Sequence, residues 1–213
     1  MESPDWSMEK SAGDRGFGMV AGVDEVGRGS WAGPLVAGAV ILLPDSLPQY
    51  EKMGINDSKL LTPRKREELF CFITANCIGW AIGMVDADII DREGIASANA
   101  SAMNQAVNKL KPAPDYLLID GPGMNGLIDI PRESIVRGDS KSISIAAASI
   151  VAKVWRDRLM VWEDGRFPLY GFSRHKGYGT GYHHLMLMKH GLCAIHRRSF
   201  EPMRSMEKSS RGN

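Results

Sequence analysis

Apolar residues occur along the chain in short blocks that predict strands. The blocks are rich in β-branched or aliphatic side chains, and most of them are bounded by Gly, Pro or acidic residues. Only one helical pattern interrupts the first three blocks, so we expect an antiparallel strand meander at the start of the fold. The predicted strands cover residues 19–23, 35–43, 77–85, 115–120 and 133–136.

Helical spacing of apolar residues occurs between and after these strands. Thr62 and Pro63 provide an N-cap and a proline at the first helical position, ahead of three apolar residues at helical spacing. Small residues dominate the helical patterns at 95–110 and 143–162, and the alanines of the second permit close packing against a sheet. A short helix is predicted at 183–190. Alternating strands and helices predict an α/β fold.

Both ends of the chain lack this periodicity. Residues 1–16 are small and charged, which predicts a disordered leader. The main domain is expected to cover residues 17–165. Residues 166–203, rich in Gly, His, Lys and Arg, form a predicted helical C-terminal extension, and residues 204–213 a flexible tail.

Composition narrows the class and compartment of the protein. The 213 residues are 44% hydrophobic and 24% charged, as expected for a globular chain with a sizeable core. Cys71, Cys77 and Cys193 are odd in number and lack a Cys-x-x-Cys spacing, which indicates a reduced, cytoplasmic compartment. The sequence has no signal-peptide pattern and no apolar run of transmembrane length, so secretion and membrane spanning are not expected.

The net charge of the chain gives no overall attraction to nucleic acid. The formal charge is +1, so any binding to phosphate must come from local basic patches. Residues 172–213 contain such a patch, with eight Lys and Arg residues against two acidic ones. This local excess suits a surface that faces nucleic acid.

Four acidic residues stand where they suit metal chemistry. Asp24 and Glu25 follow an apolar strand and precede a Gly-Arg-Gly turn that could curl the backbone, Asp120 ends another strand, and Asp139 precedes the alanine-rich helix. Taken singly, each acid could simply be a solvated residue at a strand end, a turn residue or a helix cap. Together they can converge at strand ends, and oxygen ligands of this kind select Mg²⁺ or Mn²⁺ over zinc.

Several separated motifs give the chain a resemblance to the ribonuclease HII family across residues 20–202. The motifs occur in the family's order over nearly the whole chain. They are GVDEVGRGSWAGPLVAGAV, NDSKLL, YLLIDG, RGDSKSISIAAASIVAKVWRD, HKGYGT and HRRSF.

The resemblance implies a fold, a reaction and a cofactor. The fold is RNase H-like, with a five-stranded mixed sheet flanked by helices and a small helical C-terminal extension. The reaction is hydrolysis of the RNA strand of RNA–DNA hybrids, and nicking 5′ to single ribonucleotides in duplex DNA, leaving 3′-hydroxyl and 5′-phosphate ends. Two Mg²⁺ or Mn²⁺ ions would catalyse it, and the metal-binding catalytic residues would be Asp24, Glu25, Asp120 and Asp139.

The resemblance also assigns substrate contacts. Gly27, Arg28 and Gly29 would read the ribose 2′-hydroxyl, partly through the main chain, and Tyr178 would stack on the adjoining deoxyribose. The 2′-hydroxyl distinguishes RNA from DNA, and a backbone can approach it closely where side chains are absent. The residues implied to contact backbone phosphates are Ser58, Lys59, Lys153 and Lys176.

Two positions depart from the family's pattern. Trp31 is bulky where smaller or aliphatic residues are usual, and Leu192 follows Gly191 where proline is common. These departures concern the fit of the substrate and the packing of the C-terminal helices, and neither replaces a catalytic acid.

A dinucleotide-binding oxidoreductase fits less well. Gly27, Gly29 and Ala32 satisfy the pattern Gly-x-Gly-x-x-Ala after a strand. Gly33 and Pro34, however, lead into another predicted strand, so no helix N-terminus is expected there for a pyrophosphate.

Two nucleic-acid-binding classes fit the sequence better than an oxidoreductase does. A ribonuclease HIII-like nuclease is disfavoured by the Arg28 turn and the short N-terminal segment, because that family carries an additional N-terminal substrate-binding domain. A non-catalytic nucleic-acid-binding module would be favoured if one of the four acids were replaced. The histidines match no zinc spacing, so no zinc site is expected.

The resemblance also suggests partners. We expect RNA–DNA hybrids and ribonucleotide-containing DNA as substrates, and a cytoplasmic monomer that does not contact membranes. The sequence leaves open whether the protein also contacts a replication clamp.

Overall fold

A β-sheet lies at the centre of the computed structural model, which describes residues 3–123 and 125–211. The five predicted strands are confirmed, with ends shifted by at most three residues. They are β1 (Val20–Val26), β2 (Leu35–Ile41), β3 (Gly79–Val85), β4 (Tyr116–Asp120) and β5 (Arg132–Ile135).

The sheet is mixed, as expected. Its order is β3-β2-β1-β4-β5. The meander β1-β2-β3 is antiparallel, whereas β4 runs parallel to both β1 and β5. This topology places the ends of β1 and β4 side by side near the middle of the sheet.

Helices connect the strands and form the C-terminal extension. The helices of the described chain are α1 (Ser7–Asp14), α2 (Leu47–Met53), α3 (Pro63–Asn76), α4 (Ala87–Glu93), α5 (Ile95–Lys109), α6 (Ile143–Arg166), α7 (Phe172–His175), α8 (Gly181–His190) and α9 (Met203–Arg211). The four predicted helices are confirmed as α3, α5, α6 and α8. Thr62 caps α3 as expected, because its Oγ1 accepts the Lys65 N–H at 3.2 Å.

Helices cover both faces of the sheet. On one face, Ala37 and Ala39 of β2 pack in a cluster with Met103 of α5. On the other face, Val40 packs with Ile150 of α6, and α3 lies in the same cluster. Successive strand residues point to opposite faces, so every residue of β2 is buried.

Two glycines let α6 lie directly on the sheet. A Cβ at Gly22 of β1 would stand 2.1 Å from the Ser144 carbonyl carbon, and one at Gly38 of β2 would stand 2.6 Å from the Ala148 oxygen. The backbone of α6 therefore occupies the space that larger side chains would need, and the start of α6 is held close to β1.

A third apolar cluster joins the C-terminal extension to the loop after β1. Met160 of α6, Phe172 of α7 and Leu187 of α8 pack there, with Trp31 and Leu192 partly buried against them. A Cβ at residue 179 would stand 2.2 Å from the Trp31 ring, so Gly179 makes room for the bulky indole. Local packing thus accommodates both Trp31 and Leu192, the two departures from the family's pattern.

The expected disordered leader requires a correction. Residues 7–14 form α1, with Ala12 fully buried in a cluster that includes Leu118 of β4. Trp6 and Met8 pack against the domain as well. Local sequence did not predict this helix because its few apolar residues are stabilised by contacts with distant parts of the chain.

The expected flexible tail is also partly structured. Helix α9 covers most of residues 204–213, and fully buried Met203 anchors its start in the extension's core. Residues 1–2, 124 and 212–213 lie outside the described residues, and the predictions for the extreme ends fall there. Within the part of the chain that the structure describes, no helix has the length and apolar character needed to cross a membrane.

Candidate active site

Two neighbouring parallel strands bring Asp24 and Asp120 together. The register pairs Val23 of β1 with Ile119 of β4, so Asp24 and Asp120 are the next residues along each strand. Equivalent positions on paired strands point to the same face, which here is the face covered by α6. Convergence of these two acids is therefore a direct result of strand pairing.

Asp139 joins them from the turn Gly138–Ser140, which connects β5 to α6. One carboxylate oxygen from each of Asp24, Asp120 and Asp139 lies within 4.8 Å of the others. The Gly138 N–H donates to Asp120 Oδ1 at 2.6 Å and so ties the turn to β4. Asp24 and Asp139 are only 3% and 4% exposed.

Glu25 takes a different position from the one expected. Strand β1 stays extended through Val26, so Glu25 points to the opposite face from Asp24. There it hydrogen-bonds Asn99 of α5 and lies 3.6 Å from the Arg28 guanidinium. Glu25 and Asp120 line the same groove of about 760 Å³, so Glu25 borders the cluster of three aspartates without joining it.

The buried acids repel one another. Burial raises the pKa of Asp24 well above its usual range, and the charges of Asp120, Glu25 and Asp139 raise it further. Burial also raises the pKa of Glu25 and of Asp139. A cation among these carboxylates would relieve the repulsion, and all-oxygen donors at this spacing fit Mg²⁺ or Mn²⁺.

Lys59 lies beside this cluster. Its Nζ donates to Asp139 Oδ2 at 2.8 Å, and its side chain is 72% exposed. Burial acts to lower the pKa of Lys59, but the hydrogen bond and charge of Asp139 outweigh it, so the pKa is raised. The lysine is therefore a fixed positive charge at the rim of the cluster.

Of the other residues expected to contact phosphates, Ser58 lies in the interior, and Lys153 and Lys176 line a groove. Ser58 is buried, and its hydroxyl bonds to the Ser149 hydroxyl at 2.7 Å, so it packs on α6. Lys153 pairs with Asp157 at 2.7 Å, and Lys176 donates to the Ser173 carbonyl. A groove of about 680 Å³, called the basic groove below, runs past these two lysines and is lined also by Tyr178, Arg64, Arg66, Arg158 and Arg174.

Tyr178 is half-buried beside two cations. The Lys153 Nζ and the Arg156 guanidinium carbon lie 5.6 and 5.5 Å from the centre of its ring. The tyrosine also lines the basic groove. A cation near a ring face interacts favourably with the ring, so these two contacts help to hold Tyr178 in place.

Arg156 is a supporting residue that the sequence analysis did not single out. It is fully buried in α6, and a Cβ at Gly27 would stand 2.3 Å from its Nε, so the Gly-Arg-Gly turn rests directly on it. Its hydrogen bonds all go to main-chain carbonyls: Nε to Pro34 at 2.9 Å, Nη1 to Lys176 at 2.9 Å and Nη2 to Ala32 at 3.1 Å.

Arg197 supports the same loop from the C-terminal extension. It is fully buried, and it donates from Nε to the Gly33 carbonyl and from Nη1 to the Arg28 carbonyl, both at 3.0 Å. Burial and the neighbouring charge of Arg156 lower its pKa to about 9. Together the two arginines bind five main-chain carbonyls and fix residues 28–34 relative to the basic groove.

A chain of histidines holds the backbone at Tyr178. The Cys193 N–H donates to His196 Nδ1 at 2.9 Å, which leaves the His196 proton on Nε2, 3.0 Å from His183 Nε2. His183 then donates from Nδ1 to the Tyr178 carbonyl at 3.0 Å. Burial lowers the pKa of both histidines to about 4, so both are neutral at pH 7.

Comparison with known proteins agrees with the family resemblance of the sequence motifs. The family model for ribonuclease HII matches residues 21–203. A ribonuclease HII of Acetivibrio thermocellus is 52% identical over 90% of this chain and 73% of its own length. A ribonuclease HII of Chloroflexus aurantiacus is 48% identical over 94% of each chain.

Solved structures agree with this result. The ribonuclease H2 of Pyrococcus horikoshii superimposes with a TM-score of 0.79 at 28% identity, covering 92% of this chain and all of the other. Its fold is the RNase H-like fold expected from the motifs. The chain belongs to the ribonuclease HII family, whose members are endonucleases that hydrolyse RNA in RNA–DNA hybrids.

Proposed function

We propose that this protein cuts the RNA strand of RNA–DNA hybrids and also nicks duplex DNA 5′ to a single embedded ribonucleotide. The products would carry 3′-hydroxyl and 5′-phosphate ends. The observation that carries the proposal is the largely buried cluster of Asp24, Asp120 and Asp139. The Gly-Arg-Gly turn follows Asp24 closely in the chain, and its Arg28 and Gly29 are exposed.

Asp24, Asp120 and Asp139 would hold the divalent metal, and Glu25, outside this cluster, would offer a fourth carboxylate from the adjoining groove. When bound, two Mg²⁺ or Mn²⁺ ions would supply an activated water and offset the charge that develops on the leaving oxygen. The protein orients the ligands through main-chain donors. The Glu25 N–H donates to Asp24 Oδ1 at 2.7 Å, and the Gly138 N–H orients Asp120.

The turn Gly27–Gly29 would recognise the ribose. Arg156 and Arg197 bind carbonyl groups of residues 28–34 from the protein interior, which fixes this loop without occupying its outer surface. A Cβ at Gly29 would meet no atom within 4 Å, so a substrate has open space there. Main-chain groups in this space would hydrogen-bond the 2′-hydroxyl, the group that DNA lacks.

Tyr178 would stack on the deoxyribose that follows the ribonucleotide. Its ring lies close to the cations of Lys153 and Arg156 and forms part of the basic groove, which would bind the backbone phosphates. Lys176 and Lys59 would add phosphate contacts of their own. Ser58 would support the phosphate-facing loop through Ser149 and α6.

A duplex with one ribonucleotide in a labelled DNA strand tests the proposal. We expect a single cut 5′ to the ribonucleotide in Mg²⁺ or Mn²⁺, a 3′ end that a DNA polymerase extends, and no cut in excess EDTA. An all-DNA duplex of the same sequence is the control and should stay intact.

Two outcomes would count against the proposal. Cutting of a long hybrid without any cut at the single ribonucleotide would restrict the protein to hybrids. Tight binding of both duplexes without cleavage in either metal would favour a non-catalytic nucleic-acid-binding module.

A further inference from the structure

The N-terminal segment binds the start of α6. The Asp5 N–H donates to the Lys141 carbonyl at 3.1 Å, and the Ile143 N–H donates to the Asp5 carbonyl at 3.0 Å. These two bonds form a parallel bridge between Asp5 and Ser142. Residues near the beginning of the chain are thereby paired with the turn that leads from Asp139 into α6.

Glu9 of α1 makes a second attachment to the same place. Its carboxylate is 3% exposed, and Oε1 accepts the Ser142 hydroxyl at 2.5 Å and the Ser144 N–H at 3.0 Å. The Ser144 hydroxyl donates to the same oxygen. Ser142 is also the N-cap of α6, because its Oγ accepts the Ile145 N–H at 3.2 Å.

This arrangement is stabilising for two reasons. A buried carboxylate requires several donors to offset its desolvation, and here a main-chain N–H and two hydroxyls donate to Oε1, whereas Oε2 has no hydrogen-bond partner among the described residues. A negative charge at a helix N-terminus also interacts favourably with the positive end of the helix dipole. Glu9 therefore holds the first turn of α6 in a defined position.

The turn carrying Asp139 lies between two anchors. At its beginning, the Gly138 N–H donates to Asp120 Oδ1 at 2.6 Å. At its end, the Ser142 N–H donates to the Gly138 carbonyl at 2.8 Å, and Ser142 is bound by Glu9. A shift of Ser142 would move this short turn and so displace the Asp139 carboxylate.

We propose that Glu9 is a positioning residue for the metal centre, acting through Ser142 and Ser144 on the Asp139 turn. The inference rests on the proposed metal-binding role of Asp139. The N-terminal segment would then help to set the affinity for the divalent metal, although none of the proposed metal ligands lies in that segment.

Calorimetric titration of the full chain with Mn²⁺ tests this inference. We expect Glu9→Ala to weaken Mn²⁺ binding about tenfold, the lower end of the effect of losing a partner that orients a ligand. Glu9→Gln keeps an acceptor oxygen for the three donors and should recover most of the affinity. Asp14→Asn changes an exposed acid of the same helix and should leave the affinity unchanged.

One reference variant, Asp139→Asn, separates the possible failures. Asp139→Asn should bind Mn²⁺ more weakly than Glu9→Ala; if it binds like the wild type, the proposed function of the cluster fails. If Asp139→Asn loses affinity while folded Glu9→Ala binds like the wild type, only the role of Glu9 is overturned. Circular dichroism establishes that each variant is folded at the titration temperature.

A milder variant covers the case in which Glu9→Ala does not fold. Ser144→Ala removes one donor to Glu9 and leaves the main-chain N–H in place. We expect it to weaken Mn²⁺ binding by about threefold, a smaller loss than that expected for Glu9→Ala. Wild-type Mn²⁺ affinity in folded Ser144→Ala would overturn the inference.

Discussion

Replacing Asp24 with Asn will lower the cleavage rate by on the order of 10³-fold or more, because it removes a charged ligand from the proposed metal centre. The same change should not destabilise the metal-free protein. Burial and three neighbouring carboxylates disfavour the Asp24 charge, and an amide has nearly the same size. The amide oxygen can still accept the Glu25 N–H.

The effect on stability has a definite sign. A carboxyl group whose folded-state pKa is raised costs folding free energy at pH values above its unfolded pKa, so the charge of Asp24 is destabilising at pH 7 without metal. Thermal denaturation in EDTA should therefore show Asp24→Asn to be at least as stable as the wild type. The exposed acid Asp88 provides the control, since Asp88→Asn should change neither rate nor stability. Cleavage within tenfold of wild type in Asp24→Asn would contradict the assignment.

Replacing Arg156 with Met will lower the free energy of unfolding by about 3 kcal/mol or more. Its guanidinium binds three main-chain carbonyls in the interior, and each carbonyl left without a donor costs about 1–3 kcal/mol. Removing a buried charge offsets part of this loss, since burial lowers the pKa of Arg156. We expect the loss of three bonds to dominate.

Urea denaturation measures this difference, and Arg158 supplies a matched control. Arg158 lies two residues further along α6, but its ion pair with Glu67 is at the surface, where both side chains are about half exposed. Arg158→Met should cost less than about 1 kcal/mol. Equal losses in the two variants would mean that the carbonyl contacts of Arg156 contribute little.

Much of the fold could be predicted because its elements have local signatures. Strands β1 to β4 are separate apolar blocks, and α3 begins at a capping pair that works as expected. Helix α1 has no such signature. It is held by hydrogen bonds from Ser142 and Ser144 to Glu9, across sequence separations of 133 and 135 residues. A local sequence pattern cannot indicate contacts at such separations.

The candidate site could be predicted in part for the same reason. Asp24 and Asp120 follow strand patterns, so their meeting follows from parallel pairing. Glu25 was expected beside them, but the extended backbone of β1 turns it toward α5. Arg156 and Arg197 bind carbonyls 122 and 164 positions away, and nothing in a run of sequence distinguishes such arginines from solvated ones.

Anomalous diffraction from crystals grown with Mn²⁺ would test most directly whether the three aspartates form the metal centre. We expect the strongest peak to be bonded to carboxylate oxygens of Asp24, Asp120 and Asp139, and to be lost in crystals of Asp139→Asn. Strong Mn²⁺ peaks elsewhere, with none among these carboxylates at saturating metal, would contradict the proposed centre.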